Sequence, residues 1–156
     1  MAETQRDDEA VRRFVEHFGV TFNDLGFPRM SARVLAAVVA AEDRGLTAGQ
    51  IAAALDVSAA AVSSALRYLV QFGLVTRTAV PGSRSDVYEV PPDAWYASSV
   101  RTRVYAQLAD LMEEGVAAVG GEGTLAGDRL ADMRDFFAFV EVEFGRMVER
   151  WAERRR

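Results

Sequence analysis

Residues 46–75, LTAGQIAAALDVSAAAVSSALRYLVQFGLV, leave few folds open to this chain. They spell two short helices with a tight break between them. Thr47 followed by Gln50 is a capping box: the hydroxyl accepts from the amide three residues on, and the glutamine side chain reaches back. Ile51 and Leu55, four residues apart, point to one side. Asp56 ends the first helix, since aspartate tolerates the left-handed conformation of such corners, though less well than glycine. Val57 plugs the corner and Ser58 is a natural cap for the next helix. That second helix buries Val62, Leu66, Leu69 and Val70 and stops at Gly73. What it turns outward is small and nearly free of charge: Ala59, Ala60, Ala61, Ser63 and Ser64. A core needs larger side chains and catalysis needs more polar ones. A helix that must come close to another surface is built this way.

The flanking segments say what surrounds this pair. Val11, Phe14, Val15, Phe18 and Phe22 share one face of an amphipathic helix over about residues 7–25, which Gly26 and Pro28 terminate. A helix over about 29–42 carries Met30, Val34, Leu35, Val38 and Val39; it is apolar on most sides and is the expected core helix. After the pair come two strands, 74–80 and 85–90, with Pro81, Gly82, Ser83 and Arg84 as the turn between them. Pro91 and Pro92 close that unit. A long helix over about 93–119 presents Trp95, Val100, Val104, Leu108, Leu111 and Met112. The stretch GGEG interrupts at 120–123, and a last helix over 124–155 carries Leu130, Met133, Phe136, Phe137, Val140, Phe144, Met147, Val148 and Trp151.

Helix, helix, turn, helix and hairpin is the order of a winged helix-turn-helix. The expected fold is therefore mainly α, a winged helix-turn-helix whose wing is a two-stranded β-hairpin, with N- and C-terminal helices forming a dimerisation region. Residues 1–28 fall to the dimerisation region, 29–92 to the DNA-binding domain and 93–156 to the dimerisation helices.

This order explains the thin edge. A major groove about 12 Å wide admits a helix whose outward side chains are small. Alanine can touch a thymine methyl, and serine can bond a phosphate or a base edge. Candidate DNA contacts are Ser58, Ala59, Ala60, Ala61, Ser63 and Ser64. Arg67, the one long cation on the helix, is suited to a guanine or a phosphate. Arg84 at the hairpin tip, with Ser83 beside it, is placed for a minor groove, and Arg77 at the hairpin base for backbone. The chain carries a formal charge of -5, which argues against indiscriminate nucleic-acid binding. Residues 46–84 nevertheless hold three arginines (Arg67, Arg77, Arg84) against one acid (Asp56), a local balance of +2. The competing structural reading is that the small residues pack against a neighbouring helix and the arginines are merely solvated.

No catalytic constellation is visible. There is no cysteine, and His17 is the single histidine, so ordinary metal sites lack ligands. Gly120, Gly121 and Gly123 link two helices and lack the strand-before, helix-after setting of a phosphate cradle. No cofactor and no enzymatic activity are expected. No apolar run reaches the roughly 20 residues of a membrane span, and the N-terminus is acidic and polar, which makes a cytoplasmic protein the expectation.

The aromatic residues outnumber what a three-helix lobe can cover. Phe14, Phe18, Phe22, Phe136, Phe137, Phe144 and Trp151 are the expected dimer interface, since a two-fold partner is the common way to cover such surface. Two recognition helices about 34 Å apart would read a roughly palindromic site on double-stranded DNA.

The segments FVEHFG, LTAGQIAAALDVSAAAVSSALRYLVQFGLV, RTAVPGSRSDVYEV and DAWYASSVRTRVYAQLADLMEEG together resemble the MarR family of winged-helix regulators, and particularly a GbsR-like branch that includes repressors of efflux pumps. The resemblance runs from Val11 to about Trp151. It implies a homodimer, a recognition helix over 58–72, a wing over 77–88, and a small-molecule cavity between the DNA lobe and the dimer helices. The wing departs from many relatives in having few basic residues and Asp86 near its tip. The function implied is a sequence-specific transcriptional regulator, a repressor released by a hydrophobic or aromatic effector that shifts the population of conformers. The alternative is a winged-helix scaffold that binds protein and not DNA, which the overall acidity favours. A detached dimerising arm of a methyltransferase is a third possibility, but no nucleotide-binding segment accompanies it.

Overall fold

The computed structural model describes residues 6–91 and 102–155. The chain divides into two compact units, Met1–Trp95 and Tyr96–Arg156. The expected boundary at residues 92 and 93 lies outside the described residues, as do Trp95 and Val100.

In the first unit the order is α1 (Asp8–Asp24), α2 (Arg29–Val39), β1 (Leu46–Thr47), α3 (Ala48–Leu55), α4 (Ala59–Gln71), β2 (Thr76–Thr78) and β3 (Val87–Glu89). Helix α2 is the centre, with Val34, Leu35 and Ala36 fully buried. Ile51 and Leu55 of α3, Val62, Ala65, Leu66 and Leu69 of α4, and Leu74 and Val75 close around it. Fully burying a side chain such as Leu35 or Leu69 contributes about 1.5–3 kcal/mol. Helix α1 packs along α2: Val15 joins the core, and Arg33 Nε donates to Glu16 Oε1 at 2.7 Å.

Two expected core positions are corrected. Val39 is 50% exposed and Val70 is 39% exposed. Val39 is the last residue of α2 and stands at its exposed end, whereas Val70 lies at the edge of the apolar stripe of α4, where Ala65 supplies the buried contact instead. The strands are also shorter than expected, at three residues each, because the wing beyond Thr78 is exposed on all sides.

A third strand was not anticipated. β1 pairs with β3 (Leu46 with Tyr88, Thr47 with Val87), and β2 pairs on the other side (Arg77 with Tyr88), giving an antiparallel sheet in the order β1-β3-β2. Gly45 permits it. A Cβ there would lie 2.6 Å from the Tyr88 carbonyl oxygen and from Val87 Cγ1. The wing is thereby tied to the start of α3.

The second unit is a helical hairpin, α5 (Thr102–Ala118) and α6 (Leu125–Arg154). Val116 and Ala131 are buried in its seam, and Tyr105 meets Phe144 edge-on at 5.4 Å. Arg134 binds Glu113 at 2.6 Å, Glu122 at 3.0 Å and Asp135 at 2.9 Å, and so fastens α6 to α5 and to the connecting loop. These partners, Asp135 first, then Glu113 and Glu122, hold the guanidinium's pKa above its ordinary value. Among the described residues no single helix is long and apolar enough to cross a membrane.

Candidate nucleic-acid interface

The helix-turn-helix is assembled by its own short-range chemistry. Thr47 Oγ1 accepts from the Gln50 amide at 3.2 Å while the Thr47 amide donates to Gln50 Oε1 at 2.8 Å, completing the capping box. Asp56 takes the left-handed conformation (φ 51°, ψ 52°), the one non-glycine positive φ among the described residues. Val57 is half-buried against the core, and Ser58 Oγ accepts from the Ala61 amide at 3.2 Å. The two helices meet at a bend of 117°, within the range of helix-turn-helix units.

With Val62, Ala65, Leu66 and Leu69 facing inward, helical periodicity turns the other side of α4 to solvent. Ser58, Ala59, Ala60, Ser63, Ser64 and Arg67 are exposed, and Ala61 is half-buried at the margin. Among the described residues of the first unit no helix covers this edge. Arg67 Nη2 donates to Ser64 Oγ at 3.1 Å, which holds the guanidinium along the exposed ridge.

The wing is electrostatically uneven. Ser83 and Arg84 are exposed at the tip, and Arg84 has no hydrogen-bond or ion-pair partner among the described residues. Ser83 Oγ accepts from the Ser85 amide at 3.0 Å, shaping the turn that carries Arg84. Arg77 is different. Its Nε donates to Asp86 Oδ2 at 2.6 Å, and this hydrogen bond and the aspartate's charge push the Arg77 pKa above its ordinary value. The wing thus offers one unpaired cation and one neutralised across the hairpin. Sequence spacing alone does not show that pairing, because Asp86 and Arg77 are nine residues apart.

The aromatic residues separate into two groups. Phe14, Phe18 and Phe22 lie within the first unit, where ring contacts run Phe14–Phe18 (5.7 Å), Phe18–Phe22 (4.0 Å), Phe22–Phe27 (5.9 Å), Phe27–Tyr68 (5.3 Å) and Tyr68–Phe72 (4.3 Å). The ladder links α1 to the far end of α4; Phe14 remains 46% exposed. In the second unit Phe137 and Phe144 are half-buried beside Tyr105. Phe136 is 59% exposed and Trp151 is 42% exposed. Phe139, which sequence reading passed over, is more exposed than either, at 63%. His17 is exposed on α1, and no group of three or more potential metal ligands occurs among the described residues.

Comparison with known proteins decides what this geometry belongs to. The chain is 30% identical over 145 residues to the HTH-type transcriptional regulator MmpR5 of Mycobacterium tuberculosis, covering 92% of this chain and 88% of the relative. The chain belongs to the MarR family of transcriptional regulators. The MarR family profile matches residues 25–84, and the profile of MmpR5-like MarR family transcriptional regulators matches residues 93–154. A crystal structure of a transcriptional regulator superposes with a TM-score of 0.83 at 30% identity, covering 92% of this chain and 99% of the other. This MarR-family protein is therefore a transcriptional regulator that acts by binding DNA, and it is not an enzyme. The subfamily that matches is the MmpR5-like one; the GbsR-like branch stays a resemblance.

Proposed function

We propose that this MarR-family protein is a cytoplasmic homodimeric repressor that reads a roughly palindromic operator with α4 and the wing, and that a hydrophobic effector releases it. One observation carries the DNA-reading part: Ala59, Ala60, Ser63, Ser64 and Arg67 form an uncovered, nearly bulk-free ridge on a capped helix. Such a ridge can sit close to base edges, with Ser63 and Ser64 as hydrogen-bonding groups and Arg67 reaching a guanine or a phosphate. Arg84, unpaired at the wing tip, enters the adjacent minor groove, and Arg77 meets phosphate only where Asp86 releases it.

The homodimer is supported by the second unit. Helix α6 has 30 residues, about 45 Å of helix, and Met133, Phe136, Met147 and Trp151 line one face with exposures of 41–59%. A face this apolar on so long a helix needs a cover, and a second copy supplies a self-complementary one.

Retardation of the protein's own upstream DNA at several salt concentrations tests the repressor. Affinity falls as salt rises, with a log–log slope of about -0.9 per phosphate neutralised. A salt-insensitive interaction, or none, favours a scaffold that binds protein. Arg67→Ala lowers operator affinity by about tenfold or more, since a good bidentate contact is worth roughly 1–3 kcal/mol of discrimination. Helix content and dimer mass stay unchanged. Asp86→Asn works in the other direction. It removes a carboxylate from the wing and frees Arg77, so operator affinity rises by roughly two- to fivefold in a fluorescence-anisotropy titration. An unchanged or weakened affinity shows that the hairpin pair serves the wing's shape alone.

A further inference from the structure

A cleft of about 510 Å³ opens in the first unit, between the first turns of α1 and the C-terminal ends of α2 and α3. Its walls are apolar, from Val11, Val15, Ala37, Leu46, Ala54 and Leu55. Its rim carries Arg6, Arg12 and Arg33 against Asp8, Glu16, Glu42, Asp43 and Asp56, an excess of two negative charges. Two of the arginines are already engaged. Arg33 binds Glu16 at 2.7 Å and donates to the Leu55 carbonyl at 3.3 Å. Arg6 binds Asp8 at 2.9 Å and donates to the Ala40 carbonyl at 2.9 Å, leaving Glu42 4.0 Å from its guanidinium. Asp43, Asp56 and Arg12 have no ion-pair partner among the described residues.

Backbone dipoles point the same way. Helices α2 and α3 both end at this cleft, and a helix C-terminus carries roughly half a negative charge. Helix α1 begins there, but its positive end is already answered: Asp7 accepts from the Glu9 and Ala10 amides, and Asp8 and Glu9 occupy the first turn.

We infer that this cleft binds a small organic cation with an apolar body, its charge set against Asp43 and Asp56 and its body against the wall of Val11, Val15 and Leu55. An anion of the same shape meets the wrong sign of field. Asp56 is also the left-handed corner between α3 and α4, so a cation bound to it acts on the hinge of the helix-turn-helix. That consequence rests on α4 being the recognition helix; binding in the cleft does not.

Two ions of the same shape and opposite charge make the test. Tetraphenylphosphonium and tetraphenylborate are titrated into the full-length protein by calorimetry, with nitrogen-15 amide shifts locating the site. The phosphonium binds, moves amides around residues 8–16, 37–43 and 54–56, and weakens as salt rises; the borate does not bind there. Asp43→Asn/Asp56→Asn weakens the phosphonium at least tenfold, asparagine being chosen because it too accepts the left-handed corner. Arg12→Gln, at an exposed and unpaired residue, tightens it severalfold and keeps the inference testable if the double variant unfolds. Equal binding of both ions, no phosphonium binding at millimolar concentration, shifts confined to other residues, or unchanged affinity in either variant overturns it. Operator retardation without any cation, run on the same samples, tests the repressor separately.

Discussion

Ala60→Glu is expected to lower operator affinity at least ~100-fold while leaving the folded protein as stable as before. Ala60 is exposed in the first turn of α4, on the ridge that also presents Ser63, Ser64 and Arg67. Glutamate is a good helix former, and a carboxylate near a helix N-terminus is favourable, so the helix itself gains slightly. In a groove the same carboxylate stands among phosphates. Like-charge juxtaposition across an interface costs several kcal/mol, and each 1.4 kcal/mol is tenfold. A dimer carries the defect twice. Ala60→Gln separates bulk from charge, because it adds nearly the same volume and keeps much more of the affinity. Fluorescence anisotropy on labelled operator reads both, with thermal unfolding as the control. A loss of less than threefold for the glutamate variant places this ridge away from DNA.

How much of this was legible in the sequence depended on the range of the interactions. Capping box, left-handed aspartate and serine cap each involve residues two or three apart, and the residue types alone specify them; all three are present. The helix periods were equally plain, since burial repeats along one chain segment. The errors fell at a helix end and at a stripe margin, Val39 being the last residue of α2 and Val70 the edge of the apolar face of α4, and at both places tertiary neighbours decide. Strand β1 was missed because two residues have no period. Gly45 was the available signal, a glycine just before a strand-like pair, but its meaning depends on Tyr88 lying across from it. The Arg77–Asp86 pair was hidden for the same reason: hairpin register, not spacing, brings the two together. The aromatic residues of α1 were read as a dimer face; the ladder running from Phe18 and Phe22 to Tyr68 and Phe72 was not legible, because it requires knowing how α1 crosses the lobe.

Gly127→Ala tests the turn that sets the second unit's hairpin, and it is expected to cost about 2–4 kcal/mol. An alanine is ordinarily the better helix residue by about 1 kcal/mol, so intrinsic propensity predicts a gain. Packing reverses the sign. A Cβ on Gly127 would lie 2.0 Å from the Gly121 carbonyl oxygen and 2.8 Å from its carbon, and these are backbone atoms that cannot rotate away. The same loop is fixed by the Gly121 amide donating to the Val116 carbonyl at 2.9 Å, by Thr124 Oγ1 accepting from the Gly127 amide at 2.9 Å, and by Asp128 accepting from the Gly123 amide at 2.7 Å. Relieving the clash breaks at least one of them. Gly115→Ala is the matched control on α5. Its Cβ would meet Leu130 Cδ1 at 3.3 Å, a flexible side-chain terminus that can yield, so propensity and crowding nearly cancel. At about 2–4 °C per kcal/mol for a chain of this size, Gly127→Ala lowers Tm by roughly 5–15 °C and Gly115→Ala leaves it within about 3 °C. If the homodimer is built on α6, dimer mass in sedimentation becomes concentration-dependent for Gly127→Ala alone, because a displaced α5–α6 turn changes the angle at which α6 is presented. Equal Tm values for the two variants would show that the loop yields freely and that the close approach of Gly127 to Gly121 does not require a glycine.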